Sequence, residues 1–360
     1  MAKKILLVDD SALMRSVMCD IINSDQRFQV VQRAADGLEA LEYLKKNTYD
    51  AVVLDVNMPK MNGIELLRQL RKDRMSVRVL MASTDTKAGA QVTLEALELG
   101  ALDFVHKPSS ALACKETGFK EELLSALGVV VESKLQVVAP VVKGTDMLHT
   151  QKVVELVTKN SAKIAGQKIV AIASSTGGPR ALQSVIPLLP ANLNAPVVIV
   201  QHMPPNFTLA MAERLNSLSQ IQVREGEEGE ILKKGVVYVG KGGIHLKILK
   251  NPGGEHYIHY EDGPSRLGVK NCANYMYESL VDSDYDQIIC SVLTGMGMDA
   301  TEGIATLKKN KKLITIAQNQ ETCVVYGMPK SVVSAGLADS VLPLEQIADE
   351  IILQVGVKNL

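Results

Sequence analysis

Apolar residues recur in two rhythms along the first third of the chain. Short runs, Lys4 to Val8, Val30 to Ala34, Ala51 to Leu54, Arg78 to Ala82 and Asp103 to His106, read as strands. Between them apolar positions recur at helical spacing, as in Ala12, Met14, Val17, Met18, Ile21 and Ile22. Strict alternation of strand and helix predicts a parallel, doubly wound sheet with helices on both faces, closed by a last helix over roughly Phe119 to Leu135. After Val137 the rhythm loosens: Pro140 interrupts an apolar stretch, Gly144-Thr145-Asp146 is turn chemistry, and Gln151 to Ile164 has the spacing of one amphipathic helix. From Lys168 the alternation resumes, with strands over Ile169 to Ala173, Val197 to Gln201, Val236 to Val239, Ile288 to Leu293 and Leu313 to Ala317. Inserted among them, Ile244, Leu246 and Ile248 alternate, then His256, Ile258 and Tyr260, around Asn251-Pro252-Gly253-Gly254. That is the signature of an antiparallel hairpin. The expected fold class is therefore α/β: an N-terminal (βα)5 domain over 1–136, a linker over 137–167, and a C-terminal doubly wound, mostly parallel α/β domain with a hairpin over 168–360.

Bulk properties narrow the partners. A formal charge of -1 gives no reason to expect nucleic acid or an anionic membrane, and no basic helix-turn-helix pattern follows the linker. The five cysteines, at 19, 114, 272, 290 and 323, are scattered without C-x-x-C spacing. Reduced, buried thiols in a cytoplasmic protein fit this better than a disulfide framework. No run approaches the roughly 18 apolar residues of a membrane span, and the opening Met-Ala-Lys-Lys leads straight into a strand rather than a signal peptide. A monomer is expected.

Chemistry concentrates where strands end. In open α/β sheets ligands bind beyond the carboxyl ends of the strands. Asp9-Asp10 and Asp55 leave two strands at one such edge, and carboxylates that close raise one another's pKa unless a hard cation such as Mg²⁺ sits among them. Ser83 ends the fourth strand and Lys107, held extended by Pro108, follows the fifth. Asp9-Asp10 alone reads as a solvated acidic rim; all five residues together read as a phosphoryl-acceptor site with Asp55 as nucleophile. The residues Asp9-Asp10, Asp55-Val-Asn-Met-Pro59, Ser83 and Lys107-Pro108 resemble the receiver domain of two-component response regulators. The resemblance implies that Asp55 is phosphorylated, with a histidine kinase as donor. It also implies that Asp9, Asp10, Asp55 and the Asn57 carbonyl hold Mg²⁺, that Ser83 and Phe104 are the switch residues, and that Lys107 contacts the phosphoryl group.

A second edge carries a hydroxyl. Ser175 follows a buried strand and precedes Thr176-Gly177-Gly178-Pro179, where small residues permit a sharp turn into a helix. That string alone fits a nucleophile, a phosphate-binding loop or an N-cap serine equally. Catalysis would need a base and a group to orient it. Of six histidines, His202 is the one that directly ends a strand, and Asp299 follows the strand Ile288 to Leu293 through the loop Thr294-Gly295-Met296-Gly297-Met298. His106, His149, His245, His256 and His259 read as surface or packing residues. The order Ser, His, Asp disfavours the α/β-hydrolase fold, in which the aspartate precedes the histidine.

Four strings, Ile172 to Pro179, Gln201 to Thr208, Leu293 to Asp299 and Val324 to Pro329, resemble the catalytic domain of the chemotaxis protein-glutamate methylesterases over about 168–355. The resemblance implies hydrolysis of γ-glutamyl methyl esters, and deamidation of particular glutamines, on methyl-accepting chemotaxis receptors. Ser175, His202 and Asp299 would be catalytic, with Thr176 and Met296 as oxyanion donors and no metal or other cofactor at the esterase step. It implies also that the unphosphorylated receiver covers the esterase cleft. Ala173 and Ala300 stand where the family commonly has glycine, Met298 where it has a polar residue, and Gln318-Asn319-Gln320 lacks a frequent acidic residue. The alternative is a phosphorylation-controlled module that binds a receptor or an anion through the Ser175 loop without catalysis.

Overall fold

A computed structural model describes residues 1–83, 87–108, 117–133 and 166–358. The chain divides into two compact units, Met1–Ala139 and Pro140–Leu360. Most of the 137–167 linker, including the helix expected over Gln151 to Ile164, lies outside the described residues.

The first unit holds β1 (Lys3–Val8), β2 (Phe28–Ala34), β3 (Ala51–Asp55), β4 (Val79–Ser83) and β5 (Asp103–His106), interleaved with α1 (Ala12–Asn23), α2 (Gly37–Lys46), α3 (Gly63–Lys72), α4 (Lys87–Leu99) and α5 (Thr117–Glu132). The strands form one parallel sheet in the order β2-β1-β3-β4-β5. Every residue of β3 and β4 is buried, as a strand covered on both faces requires. Helix starts follow local chemistry: Ser11 caps α1 by accepting from the Met14 N–H, and Asn62 and Glu65 close a reciprocal capping box on α3. Because the chain turns outward in opposite directions from β1 and β3, a crevice opens between their carboxyl ends.

The second unit contains β6 (Lys168–Ser174), α6 (Gly178–Val185), β7 (Val197–Gln201), α7 (Phe207–Leu218), β8 (Gln222–Glu225), β9 (Val236–Val239), β10 (His245–Lys250), β11 (His256–Glu261), α8 (Ala273–Ser279), β12 (Gln287–Val292), α9 (Thr301–Asn310), β13 (Leu313–Gln318), α10 (Met328–Ser334), β14 (Ser340–Leu342) and α11 (Leu344–Val355). Seven strands form a parallel sheet in the order β14-β13-β12-β6-β7-β9-β8, while β10 and β11 pair antiparallel as a separate hairpin. Its two edge strands, β8 and β14, are absent from the apolar pattern. β8 is short and polar, β14 is only three residues long, and both are partly exposed, so no apolar run announces them. In the core, the fully buried Tyr277 donates its hydroxyl to the carbonyls of Ala171 on β6 and Ser291 on β12, bridging the two central strands.

Candidate active site and acidic cluster

At the β1/β3 crevice, ligand oxygens of Asp9, Asp10 and Asp55 lie within 4.8 Å of one another. Asp9 and Asp55 are buried and Asp10 is exposed. The Lys107 ammonium reaches Asp9 Oδ2 at 2.9 Å and Asp55 Oδ2 at 2.6 Å. Burial pushes the Asp55 carboxyl up to about 6, against the pull of Lys107 and with the help of Asp9. One ammonium thus faces three carboxylates. The remaining negative charge and the cluster of hard oxygens fit a divalent cation with an oxygen preference, Mg²⁺ above all. Asn57, exposed, follows Asp55 by two positions. Ser83 ends β4, and its hydroxyl accepts a 2.7 Å hydrogen bond from Thr93 Oγ1 on α4. Half-buried Phe104 lies on β5, opposite Met81 of β4.

In the second unit the topological switch falls between β12 and β6, and the three expected residues leave β6, β7 and β12 at their carboxyl ends. His202 and Asp299 meet: Nε2 lies 2.7 Å from Oδ2. Asp299 is almost fully buried, which by itself would raise its pKa. Hydrogen bonds from His202, Cys272 and the Ala273 N–H overcome that penalty and hold it at about 2. Ser175 stands beside His202 through the ladder, where the His202 N–H donates to Ser174 O at 3.0 Å and neighbouring strands run about 4.8 Å apart. The Ser175 hydroxyl has no hydrogen-bond partner among the described residues, so the structure joins the base to its carboxylate but not yet to the serine. Resting active sites commonly show catalytic hydrogen bonds that are long or open. Close approach shapes this turn: a Cβ on Gly295 would stand 2.7 Å from Ser175 Cβ and 2.4 Å from Met328 Sδ.

The main chain also sorts the oxyanion candidates. The Ser175 N–H is committed to Thr294 O at 3.0 Å and the Gly295 N–H to Val325 O at 3.1 Å. Thr176 is buried with its carbonyl accepting from Thr294 Oγ1, while Met296 is exposed on the same loop.

A family model described as CheB methylesterase matches residues 170–351, and one described as response regulator receiver domain matches 5–116. The chain is 40% identical over 359 residues to the protein-glutamate methylesterase/protein-glutamine glutaminase 1 of Syntrophomonas wolfei, covering 97% of this chain and 98% of that one. The chain belongs to the CheB methylesterase family. Another member, the protein-glutamate methylesterase/protein-glutamine glutaminase of Bacillus subtilis, is 39% identical over 357 residues, with 97% of each chain covered. The crystal structure of the Thermotoga maritima CheB methylesterase catalytic domain aligns with 52% of this chain and 98% of its own at a TM-score of 0.50 and 41% identity.

Several supports of this CheB methylesterase site are invisible to motif reading. Asp299 docks on the start of α8, accepting from the N–H groups of Ala273 at 2.6 Å and Asn274 at 3.0 Å and from the Cys272 thiol at 3.0 Å. Cys272, read above only as a reduced, buried thiol, is also a hydrogen-bond donor to the carboxylate. Ala300 takes a φ of 81°, the left-handed region that favours glycine, and its N–H reaches Asp299 Oδ1 at 2.8 Å. A residue with a Cβ pays about 1–2 kcal/mol for that conformation, a cost that a glycine at this position would avoid. Gln318 is fully buried and accepts from the Thr294 N–H at 2.8 Å, so it braces the loop between β12 and Asp299. Ala300 and Gln318 were visible in the sequence only as departures from the family pattern, and Cys272 lies near no motif.

Proposed function

We propose that this protein-glutamate methylesterase and protein-glutamine glutaminase acts on methyl-accepting chemotaxis receptors through Ser175, His202 and Asp299, and that a histidine kinase controls it by phosphorylating Asp55. The observation that carries the reading is the pair of His202, half-buried, and Asp299, buried, beside the switch point of the parallel sheet, one strand from Ser175. With Nε2 turned to Asp299, Nδ1 is the nitrogen left to act as base. It takes the Ser175 proton as Oγ bonds to the ester carbonyl carbon, and Asp299 stabilises the imidazolium. Main-chain N–H groups of Thr176 and Met296 are the candidates to meet the oxyanion, each worth about 2.7–4 kcal/mol in such sites. Collapse of the tetrahedral intermediate breaks the carbon–oxygen bond to the methoxy group, which leaves as methanol with the imidazolium proton. Water, deprotonated by His202, then cleaves the acyl-serine to free the glutamate. With a glutamine substrate the departing group is ammonia.

In the receiver, the Asp55 carboxylate attacks the phosphorus of the kinase's phosphohistidine; the P–N bond breaks, the kinase imidazole leaves, and Asp55 becomes an acyl phosphate whose oxygens Lys107 is positioned to contact. Asp9, Asp10, Asp55 and the Asn57 carbonyl would hold Mg²⁺, which when bound would neutralise phosphoryl charge. Methanol release from methylated receptor membranes tests the esterase assignment. Ser175→Ala abolishes it on this reading, and appreciable turnover by that variant removes Ser175 from the chemistry.

A further inference from the structure

Gln201 closes β7 with a side chain only 2% exposed, immediately before the base and one strand from the nucleophile. Its amide oxygen accepts from Ser174 Oγ at 2.7 Å. Its amide nitrogen donates to the carbonyl of Ser175 at 3.0 Å and to the carbonyl of His202 at 3.1 Å. That orientation is forced, because reversing the amide would set its oxygen against two carbonyl oxygens, which can only accept. Both protons of the NH₂ group are thereby used, one on the residue that bears the hydroxyl and one on the residue that bears the imidazole.

The location matters because the sheet stops here. The last ladder bond between the two chains is His202 N–H to Ser174 O; beyond it Ser175 turns toward α6 and His202 enters the loop before α7. The Gln201 amide ties the two chains together past that point. Space for it is reserved: a Cβ on Gly178 would lie 1.9 Å from its oxygen, so the first position of α6 must lack a side chain. On its other flank the Gln201 carbonyl accepts from Asn271 Nδ2 at 2.5 Å, and the next three residues, Cys272, Ala273 and Asn274, are those that hold Asp299.

We infer that Gln201 is the positioning residue that fixes the approach of Ser175 to His202, by holding the main-chain carbonyls of both with one buried amide. The inference rests on the serine mechanism proposed above. A misplacement of about 1 Å between reacting groups costs on the order of 100-fold in rate.

Gln201→Met keeps the length and burial of the side chain and removes its hydrogen bonds. The expected result is a kcat lower by about 100-fold with KM changed less than about twofold, the pattern of a group that matters only as the transition state forms. The rate constant for labelling by a fluorophosphonate falls in step, while the final labelled fraction remains one per folded chain. A merely structural role reverses that pattern, lowering the labelled fraction or the melting temperature but leaving the rate constant intact, and overturns the inference. Should Gln201→Met not fold, Ser174→Ala removes the one contact to the amide oxygen and slows labelling by about fivefold, the equivalent of one neutral hydrogen bond. Gly178→Ala crowds the same amide and slows labelling also. Labelling at the wild-type rate in both variants refutes the role. The underlying mechanism has separate controls: turnover by Ser175→Ala, or failure of the wild-type protein to label, would discard the serine chemistry itself rather than Gln201.

Discussion

His202 meets Asp299 through Nε2, the ring nitrogen farther from the main chain, at 2.7 Å. In chymotrypsin-type triads the two nitrogens are exchanged, with Nδ1 on the carboxylate. The difference follows from where each group sits: Asp299 is fixed on the start of α8, so the imidazole reaches outward to it, and on the mechanism proposed above Nδ1 would accept the serine proton. An Asp299→Asn variant keeps the shape but destroys that tautomer preference. The expected outcome is a kcat lower by about 10⁴-fold with little loss of receptor binding, checked by methanol release and by sedimentation with receptor membranes.

The same carboxylate links folding to acidity. Its folded pKa, about 2, lies below the ordinary 3.8, so the stability it contributes is full above about pH 4 and is lost as pH falls through about 2. Urea unfolding of the wild-type protein between pH 2 and pH 6 should show a decline worth roughly 2 kcal/mol. Asp299→Asn, compared over the same range, should lack that part of the slope.

Cys272 is pushed up to about 12, by burial first and then by the Asp299 charge beside it. It is held as a thiol donor and should resist iodoacetamide at pH 8 in the folded protein, while reacting readily in urea. Cys272→Ser retains a donor to Asp299; Cys272→Ala does not. The alanine variant is expected to be less stable than the serine variant by about 2 kcal/mol, the scale of a hydrogen bond to a charged group, as read from denaturant melts.

The hydroxyl of Thr93, fully buried on α4, lies 2.7 Å from Ser83 Oγ and 2.8 Å from the Gly89 carbonyl, its one proton shared between the two oxygens. If Ser83 must turn to a phosphoryl group on Asp55, this bond opposes the turn. Thr93→Val should therefore tighten binding of the phosphoryl mimic beryllofluoride by about fivefold, the equivalent of about 1 kcal/mol, while Thr93→Ser stays near wild type. Fluorine NMR titration in the presence of Mg²⁺ distinguishes these outcomes, and weaker binding by the valine variant contradicts the role.

Asp55→Asn should retain basal esterase activity and lose all stimulation by acetyl phosphate. Driving a two-state switch from mostly off to mostly on takes a differential of about 5.5 kcal/mol, and only a covalent phosphoryl group on this side chain would supply the new contacts. Stimulation of the variant equal to that of the wild type, measured as methanol release, would assign control elsewhere.

What the sequence made legible was the part written in period and punctuation. Each central strand is an apolar run that stops at a chemical residue, Asp9, Asp55, Ser175 or His202, and the run length and the stop are both local. The hairpin announced itself by alternation around Pro252 and Gly253. The edge strands β8 and β14 did not: β8, half open to solvent, carries polar residues and loses the pattern, and β14 spans only three residues, too few to show one. Gln201, Cys272 and Thr93 were missed for another reason. Their roles depend on what lies across from them, 27 residues away for the Ser174–Gln201 and Cys272–Asp299 contacts, and no spacing rule encodes that. Ala300 is intermediate: its departure from glycine was visible, but its cost becomes plain only with its left-handed backbone.

The strands that deliver Ser175, His202 and Asp299 occupy the middle of a seven-stranded sheet, with at least two strands shielding them on either side. Fraying at β14 or β8 can thus proceed without disturbing the reactive centre, and insertions or sequence drift along those margins should be tolerated. Within the second unit, selection can remodel the periphery while the centre of the sheet stays as it is.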